Sequence, residues 1–321
     1  MVKPTSIPRV SDHDPRIYCD YAQLVRLQKH VDSFQFLPRL KANSALSGRH
    51  HSHFRGRGLN FEELKHYQHG DDIRNLDWKV TMRTGKPHVR SYTEEKDRNV
   101  VICVDQRSRM FFSSVEIMKS VVAAEVAALT AWRALKEGDR VGFLLADSQS
   151  ISVTKPKRSQ NDLLAFLKRI SSKNQSLSVD STDAENVSFT HVIDQLTRQK
   201  MTNSTIVMIS DFSDATSADI ERLKYLQRHN DVLAIMVTDP LEENVPEWIA
   251  KNHWVVGDGA LQFNLNDKHK LAAVNQSLAE HSIAKQQQLK KMMAVNHLPF
   301  IELTTRGEHL RMYKAAVGGI K

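Results

Sequence analysis

Two apolar segments that each end in an aspartate constrain the fold of this 321-residue chain more than any other feature. They cover residues 99–105 and 205–211, and they end in Asp105 and Asp211. Neither segment alternates apolar with polar residues, which is typical of a strand buried on both faces of a parallel sheet. A long apolar helical pattern at residues 115–137 follows the first segment. Strands separated by helices in this way predict βαβ crossovers.

The remainder of the C-terminal part repeats this alternation of strand and helix. Further strands are predicted at 141–146, 232–237 and 300–304, an antiparallel neighbour at 150–153, and a hairpin within 253–265. Helical patterns lie between most of these strands. We therefore expect an α/β fold with a doubly wound, mostly parallel sheet of the Rossmann type.

The net charge of +8 is concentrated in the N-terminal third of the chain. Residues 39–90 contain 11 Lys or Arg and 5 Asp or Glu. No Gly-rich or Pro-rich linker separates this third from the rest. We place a boundary near Asn99, which gives a basic N-terminal extension (1–98) and an α/β domain (99–321).

The sequence also bears on where the protein works. No apolar run approaches the roughly 18 residues of a membrane span, and the N-terminus has no apolar signal-peptide core. Two cysteines cannot form a disulfide framework, which favours a reducing compartment. We expect a cytoplasmic protein without a membrane span.

The basic window 39–90 allows two classes of partner. Aromatic residues interleaved with Arg and Lys suit the stacking surface of a nucleic-acid-binding protein. Carboxylates in the same window would pair with nearby cations and cancel much of this field, which disfavours nucleic acid. The carboxylates are those of Glu62, Glu63, Asp71, Asp72 and Asp77. The cations with which they could pair are Arg74, Lys79 and Arg83.

Asp105 and Asp211 are the candidate site residues, because ligands of open α/β sheets bind at the carboxyl ends of strands. Two carboxylates there would suit Mg²⁺ or a metal-dependent hydrolase. The side chains of Arg107 and Arg109 are expected to converge with Asp105. A guanidinium would satisfy the carboxylates and repel a divalent ion, so we predict an Arg–Asp bridge in place of a metal.

A run of motifs in the N-terminal extension resembles the signature of the family called domain of unknown function 58. The motifs are Gly56-Arg-Gly58, Phe61-Glu-Glu-Leu-Lys-His-Tyr67, Gly70-Asp-Asp-Ile-Arg74, Asp77-Trp-Lys79 and Met82-Arg-Thr-Gly85. The strand ending in Asp105 and the later Ile209-Ser-Asp-Phe212 agree with the same family. The resemblance covers roughly residues 39–320.

The resemblance implies a von Willebrand factor A-like fold with a metal-ion-dependent adhesion site. Such a site uses the pattern Asp-x-Ser-x-Ser, a threonine and a later aspartate. Asp105 and Asp211 match its aspartates, Thr182 is a candidate for the threonine, and Arg107 and Arg109 stand at the serine positions. The family therefore implies a metal site that is degenerate here, so we expect no cofactor and disfavour Mg²⁺.

The family also implies a partner. Its members often occur alongside MoxR-type AAA+ ATPases and are thought to act as partners in chaperone-like assembly or maturation. This favours a non-enzymatic interaction module in chaperone-like assembly or maturation. The signature stretch then has two interpretations: a salt-bridge network that docks the extension onto the sheet, or the partner surface. Its residues are Gly70, Asp71, Asp72, Arg74, Asp77, Trp78, Lys79 and Arg83.

Overall fold

The structure, a computed structural model, describes residues 14–33, 59–69, 71–94, 98–243, 255–257, 262–264 and 284–318. Contacts divide the chain into two units. The sheet unit contains residues 1–40 and 98–321, and the signature unit contains residues 41–97.

A six-stranded sheet forms the centre of the sheet unit. From one edge to the other its strands lie in the order β5-β4-β3-β6-β7-β10, and all neighbouring pairs are parallel except β4 with β5. This confirms the predicted doubly wound, mostly parallel sheet with an antiparallel neighbour after β4. The strands are β3 (Asn99–Gln106), β4 (Arg140–Asp147), β5 (Ile151–Lys157), β6 (Ser204–Ser210), β7 (Asp231–Thr238) and β10 (Phe300–Thr304).

Helices cover both faces of this sheet. The elements α1 (Tyr21–Arg26), α3 (Lys119–Lys136), α4 (Gln160–Gln175) and α9 (His309–Gly318) pack on one face. The elements α5 (Phe189–Arg198), α6 (Ser217–Gln227) and α8 (Ala284–Val295) pack on the other. Strand β3 contributes Val100, Ile102 and Val104 to the first core and Val101 and Cys103 to the second, which explains its continuous apolar sequence.

Side-chain caps fix where three of these helices begin. Ser159, Ser188 and Thr216 accept hydrogen bonds from backbone amides in the first turns of α4, α5 and α6. Such caps satisfy amides that have no partner inside the helix. A short helix, α7 (Pro240–Glu243), follows β7.

The segment 14–33 belongs to the sheet unit, although the sequence division at Asn99 grouped it with the extension. Leu24 on α1 is completely buried, and its carbonyl accepts a 3.1 Å hydrogen bond from Trp132 Nε1. The Cys19 amide donates to Asn174 Oδ1 at 2.7 Å, and a 3₁₀ helix (Leu27–Ser33) continues the contact. The segment therefore covers α3 and α4.

The signature unit is built on an antiparallel pair, β1 (Leu59–His66) and β2 (His88–Glu94). The stretch 61–67, whose mixed sequence is compatible with a short helix or a strand, is thus mainly strand. A 3₁₀ helix (Ile73–Asn75) and α2 (Trp78–Thr84) lie between the strands. Gly85 ends α2 with φ 69°, a left-handed conformation that glycine adopts at little cost.

Two short strands after β7 agree with the predicted hairpin. These are β8 (Val255–Gly257) and β9 (Gln262–Asn264), and they pair antiparallel. Residues 41–58, whose Ser, His, Arg and Gly content is typical of a loop, lie outside the described residues, and so does 267–283, the first part of a long helical pattern that runs to 294. Among the described residues, none of the helices combines the length and apolar character that a membrane span requires.

The burial of Leu24 predicts that α1 contributes to the stability of the sheet unit. We expect Leu24→Ala to lower the free energy of unfolding by about 3 kcal/mol, because it leaves a cavity between α1 and the helices α3 and α4. Val179→Ala is the control, since the Val179 side chain is 91% exposed. Denaturant unfolding checks both variants, and equal stability of the two would contradict the packing described.

Candidate functional site

The sheet topology brings the predicted aspartates to one edge. Strands β3 and β6 are hydrogen-bonded neighbours, and chain order reverses between them. Asp105 is the penultimate residue of β3, and Asp211 directly follows β6. A crevice at such a reversal is where open α/β sheets bind ligands.

The Arg107 side chain folds back onto Asp105 and donates hydrogen bonds to both of its carboxylate oxygens. Arg107 Nε donates to Asp105 Oδ1 at 3.0 Å, and Nη2 donates to Oδ2 at 2.7 Å. The Arg107 amide also donates to Oδ1 at 3.0 Å, and Ser210 Oγ donates to Oδ2 at 2.6 Å. A carboxylate has about four lone-pair positions, so these four hydrogen bonds saturate Asp105.

The same guanidinium binds a second carboxylate, that of Asp214. Arg107 Nη1 donates to Asp214 Oδ2 at 2.6 Å, and Nη2 donates to Oδ1 at 3.0 Å. Asp214 also accepts the Phe189 amide at the start of α5. Burial alone would raise the pKa of Asp214, but the hydrogen bonds from Arg107 outweigh it and lower this pKa. The 2% exposed Arg107 is thus a buried cation between two carboxylates.

An unusual backbone conformation brings Asp214 to the arginine. Phe212 has φ 54°, a left-handed conformation that is rare for a bulky residue and is strained. Its amide donates to Ser210 Oγ at 3.1 Å, and its buried ring lies 5.2 Å from that of Phe189. These contacts hold the turn that redirects the chain after β6.

Asp211 belongs to a different ion pair. Its Oδ2 lies 3.7 Å from Nζ of Lys119, the buried first residue of α3, which also pairs with Glu242. Burial alone would lower the pKa of Lys119, but the charges of Asp211 and Glu242 outweigh it and raise this pKa. We expected Asp105 and Asp211 to share one bridge, whereas Arg107 joins Asp105 to Asp214.

Aspartates at two more strand ends are also satisfied within the chain. Asp147, the last residue of β4, lies 3.0 Å from Lys173 Nζ. Asp239, directly after β7, accepts hydrogen bonds from the Ser114 amide at 2.8 Å and from Thr305 Oγ1 at 2.7 Å. All four strand-end carboxylates therefore have donors from the protein itself.

Two expectations about this edge need correction. Arg109 does not converge with Asp105, because its side chain is exposed and donates to Ser213 Oγ at 3.3 Å. Thr182, the candidate threonine, is also exposed, and its neighbour Asp183 accepts the Ser108 amide. Only Arg107 of the two arginines enters the cluster.

The residues at this edge do not fit a divalent ion. Asp105 has no free lone pair, and a cation would have to displace a buried guanidinium that is hydrogen-bonded to both Asp105 and Asp214. No group of three or more His, Cys, Asp or Glu within the described ranges is arranged to hold a metal. A metal-binding role for Asp105 and Asp211 stays untested and is unfavourable on electrostatic grounds.

Carboxylates of the signature unit are used to build that unit. Asp71 pairs with Lys65 at 2.7 Å, and Asp77 pairs with Arg90 at 2.7 Å while capping α2 through the Val80 amide. Asp72 accepts the amide of Arg74, not its guanidinium. The predicted pairing of these acids with Arg74, Lys79 and Arg83 is therefore wrong. Gly70 lies outside the described residues.

The other signature residues face solvent. Trp78 is 64% exposed and Met82 is 83% exposed, and both lie on the same side of α2. Ile73, in the preceding 3₁₀ helix, is 62% exposed. The side chains of Arg74, Lys79 and Arg83 are also exposed and form no ion pair within the part of the chain that the structure describes. We call these six residues the signature face: Ile73, Arg74, Trp78, Lys79, Met82 and Arg83.

Comparison with known proteins agrees with the signature motifs. The model of the family "Protein of unknown function DUF58" matches residues 63–252, which is more than half of the chain. The chain belongs to the DUF58 family. Half of β1, all of the signature face and the sheet from β3 to β7 lie within the match, so both units described above contribute to the DUF58 region.

Curated relatives of this DUF58 protein are themselves uncharacterized. Uncharacterized protein Rv1480 of Mycobacterium tuberculosis H37Rv is 27% identical over 262 residues, which cover 82% of this chain and 75% of the relative. Uncharacterized protein Mb1516 of Mycobacterium bovis matches with the same identity and coverage.

Two solved structures share a lower similarity with the chain. A conserved hypothetical protein BatB from Bacteroides thetaiotaomicron has a TM-score of 0.36 at 16% identity, covering 61% of this chain and 99% of that protein. An aerotolerance-related membrane protein from Bacteroides fragilis has a TM-score of 0.37 at 15% identity, covering 68% and 98%. At TM-scores below 0.5, neither structure informs the fold or function of this chain.

The two-carboxylate bridge predicts a large and pH-dependent stability loss in Arg107→Met. At pH 7 we expect the free energy of unfolding to fall by about 3–5 kcal/mol, because two buried carboxylates lose their cation. In the variant, the hydrogen bonds and charge of Arg107 no longer oppose burial, which is the largest influence on Asp214 and raises its pKa. The penalty therefore builds up as pH rises above the unfolded value of about 4. Denaturant unfolding between pH 4 and pH 7 measures this difference.

Arg109→Met is the matched control for this experiment, because Arg109 is exposed, lies two residues away and is the smallest of the influences that lower the pKa of Asp214. Its stability should change by less than about 0.5 kcal/mol. In the wild type the contribution of Asp214, whose pKa is lowered, is present above pH 4 and is lost as the pH falls through that lowered pKa. Between pH 7 and pH 4 the wild type keeps most of this contribution, whereas the penalty in Arg107→Met disappears. The gap in unfolding free energy between wild type and Arg107→Met should therefore shrink towards pH 4, and a constant gap would argue against the bridge.

Proposed function

We propose that this DUF58 protein is a non-enzymatic, cytoplasmic protein-interaction module that works with a MoxR-type AAA+ ATPase in chaperone-like assembly or maturation. The observation that carries the proposal is the saturated Asp105–Arg107–Asp214 bridge. It fills the strand-end position where the family resemblance implies a metal ion. A module closed in this way would recognise its partner through protein groups alone.

The same bridge speaks against a metal-dependent hydrolase. Such an enzyme would need Asp105 and Asp211 to hold an ion or act as bases, and both roles need free carboxylate oxygens. Asp105 accepts four hydrogen bonds, and Asp211 accepts the Ser213 amide at 3.0 Å beside Lys119. Asp105 thus has no free position for an ion, and the buried ammonium of Lys119 beside Asp211 would oppose one.

The proposal predicts that the wild-type protein does not bind divalent metal at this edge. Isothermal titration with Mg²⁺ or Mn²⁺ should give no one-to-one binding at sub-millimolar affinity. The comparison variant Arg107→Ser/Arg109→Ser restores the Asp-x-Ser-x-Ser pattern and releases Asp105. We expect this variant to bind Mn²⁺ and to gain thermal stability from it. One-to-one, sub-millimolar binding by the wild type would contradict the closed site.

The proposed partner predicts a direct complex. The full chain, co-expressed with a MoxR-type AAA+ ATPase of the same organism, should co-purify with it and co-elute in size-exclusion chromatography. Arg107→Ser/Arg109→Ser should keep this association when the ion is chelated, provided that it remains folded by circular dichroism. No complex with any MoxR-type ATPase of the organism, with or without ATP, would contradict the proposed partner.

A further inference from the structure

We propose that the signature face binds an acidic protein surface containing an apolar pocket, with Trp78 and Met82 as the apolar contacts and Arg74, Lys79 and Arg83 as the charged rim. This proposal rests on the function proposed above and names the surface and the chemistry of the partner. The experiment below separates the two proposals. Binding to an acidic protein that is not a MoxR-type ATPase would support the surface and contradict the proposed partner.

The apolar side chains of the face have the character of an interface. Trp78 and Met82 are four residues apart on α2, so their side chains lie one above the other, and Ile73 is also mostly exposed. Exposed tryptophan, methionine and isoleucine side chains within ten residues of sequence cost free energy in water. Tryptophan and methionine are enriched in protein interfaces, and tryptophan often supplies a large share of the binding energy.

Charge selects the kind of partner. Residues 64–90 contain six Lys or Arg and three Asp. Asp71 and Asp77 are paired with Lys65 and Arg90, and Asp72 accepts a backbone amide. Within the described residues, no carboxylate pairs with the cations of the signature face. A partner with carboxylates around an apolar pocket would complement both parts of the face.

The signature unit holds this face in a defined conformation. Asp77 fixes the start of α2, and Gly85 ends it. The His88 amide donates to Thr81 Oγ1 at 3.0 Å, and the Asp77 amide donates to the His88 carbonyl at 2.8 Å, so both link α2 to β2. A helix tied down while its large side chains remain exposed is pre-organised for binding, which reduces the entropy cost of association.

Site-specific photo-crosslinking in the source cells tests the proposal on the full chain. The photoreactive residue p-benzoylphenylalanine replaces Met82, which is exposed and makes no cap contact. A second version replaces Tyr225, a 58% exposed aromatic residue on α6, and serves as the control position. Mass spectrometry identifies the crosslinked peptides.

A matched pair of charge reversals completes the test. Lys79→Glu/Arg83→Glu reverses two exposed cations four residues apart beside Trp78. Lys224→Glu/Arg228→Glu reverses two exposed cations with the same spacing beside Tyr225. We expect the first pair to reduce the Met82-position crosslink at least about tenfold, and the second pair to leave it unchanged. Circular dichroism confirms that each variant is folded.

The proposal is supported when position 82 crosslinks to an Asp- and Glu-rich surface of another protein and this crosslink responds to the first reversal only. If that protein is not a MoxR-type ATPase, the surface stands and the proposed partner fails. Crosslinks confined to this chain's own sheet unit, to a second copy or to nucleic acid overturn the surface. A yield at position 82 no higher than at position 225 overturns it as well.

Discussion

The parallel sheet gathers negative charge at one edge, and the side chains around the strand ends must compensate this charge. Strands β3, β4, β6 and β7 each end at or next to an aspartate, and parallel pairing brings these four carboxylates to one edge. Carboxylates that are gathered at one partly buried edge need counter-charges or several hydrogen-bond donors. A divalent ion is one solution, and side chains of the protein are the other.

In this chain, three basic side chains supply the counter-charge. Arg107 serves Asp105 and Asp214, Lys119 serves Asp211, and Lys173 serves Asp147. A guanidinium matches two carboxylates with a planar set of donors, which a single spherical ion cannot do with the same fixed geometry. These cations belong to the chain and cannot dissociate from it. The charge at this edge would therefore stay the same at any concentration of divalent metal.

Sequence reasoning could reach the fold and two residues of the bridge, Asp105 and Arg107. Continuous apolar strands and helical periodicity fix the doubly wound sheet, and the strand-end position of Asp105 makes Arg107 conspicuous two residues later. Asp214 and Lys119 were missed because a turn through the left-handed Phe212 and a lysine at a helix start show no pattern in sequence. Tertiary contacts between distant elements decide which carboxylate each cation meets.

The signature motifs illustrate the opposite problem, in which a conspicuous sequence pattern does not reveal which residues are structural. Asp71 and Asp77 stand beside Arg74, Lys79 and Arg83, so local pairing is the natural expectation. The strands instead supply Lys65 and Arg90 to these acids, because β1 and β2 pass alongside the turn and α2. Pairing by the strands releases the neighbouring cations, so one short motif both builds the signature unit and leaves a cationic, apolar face exposed on it.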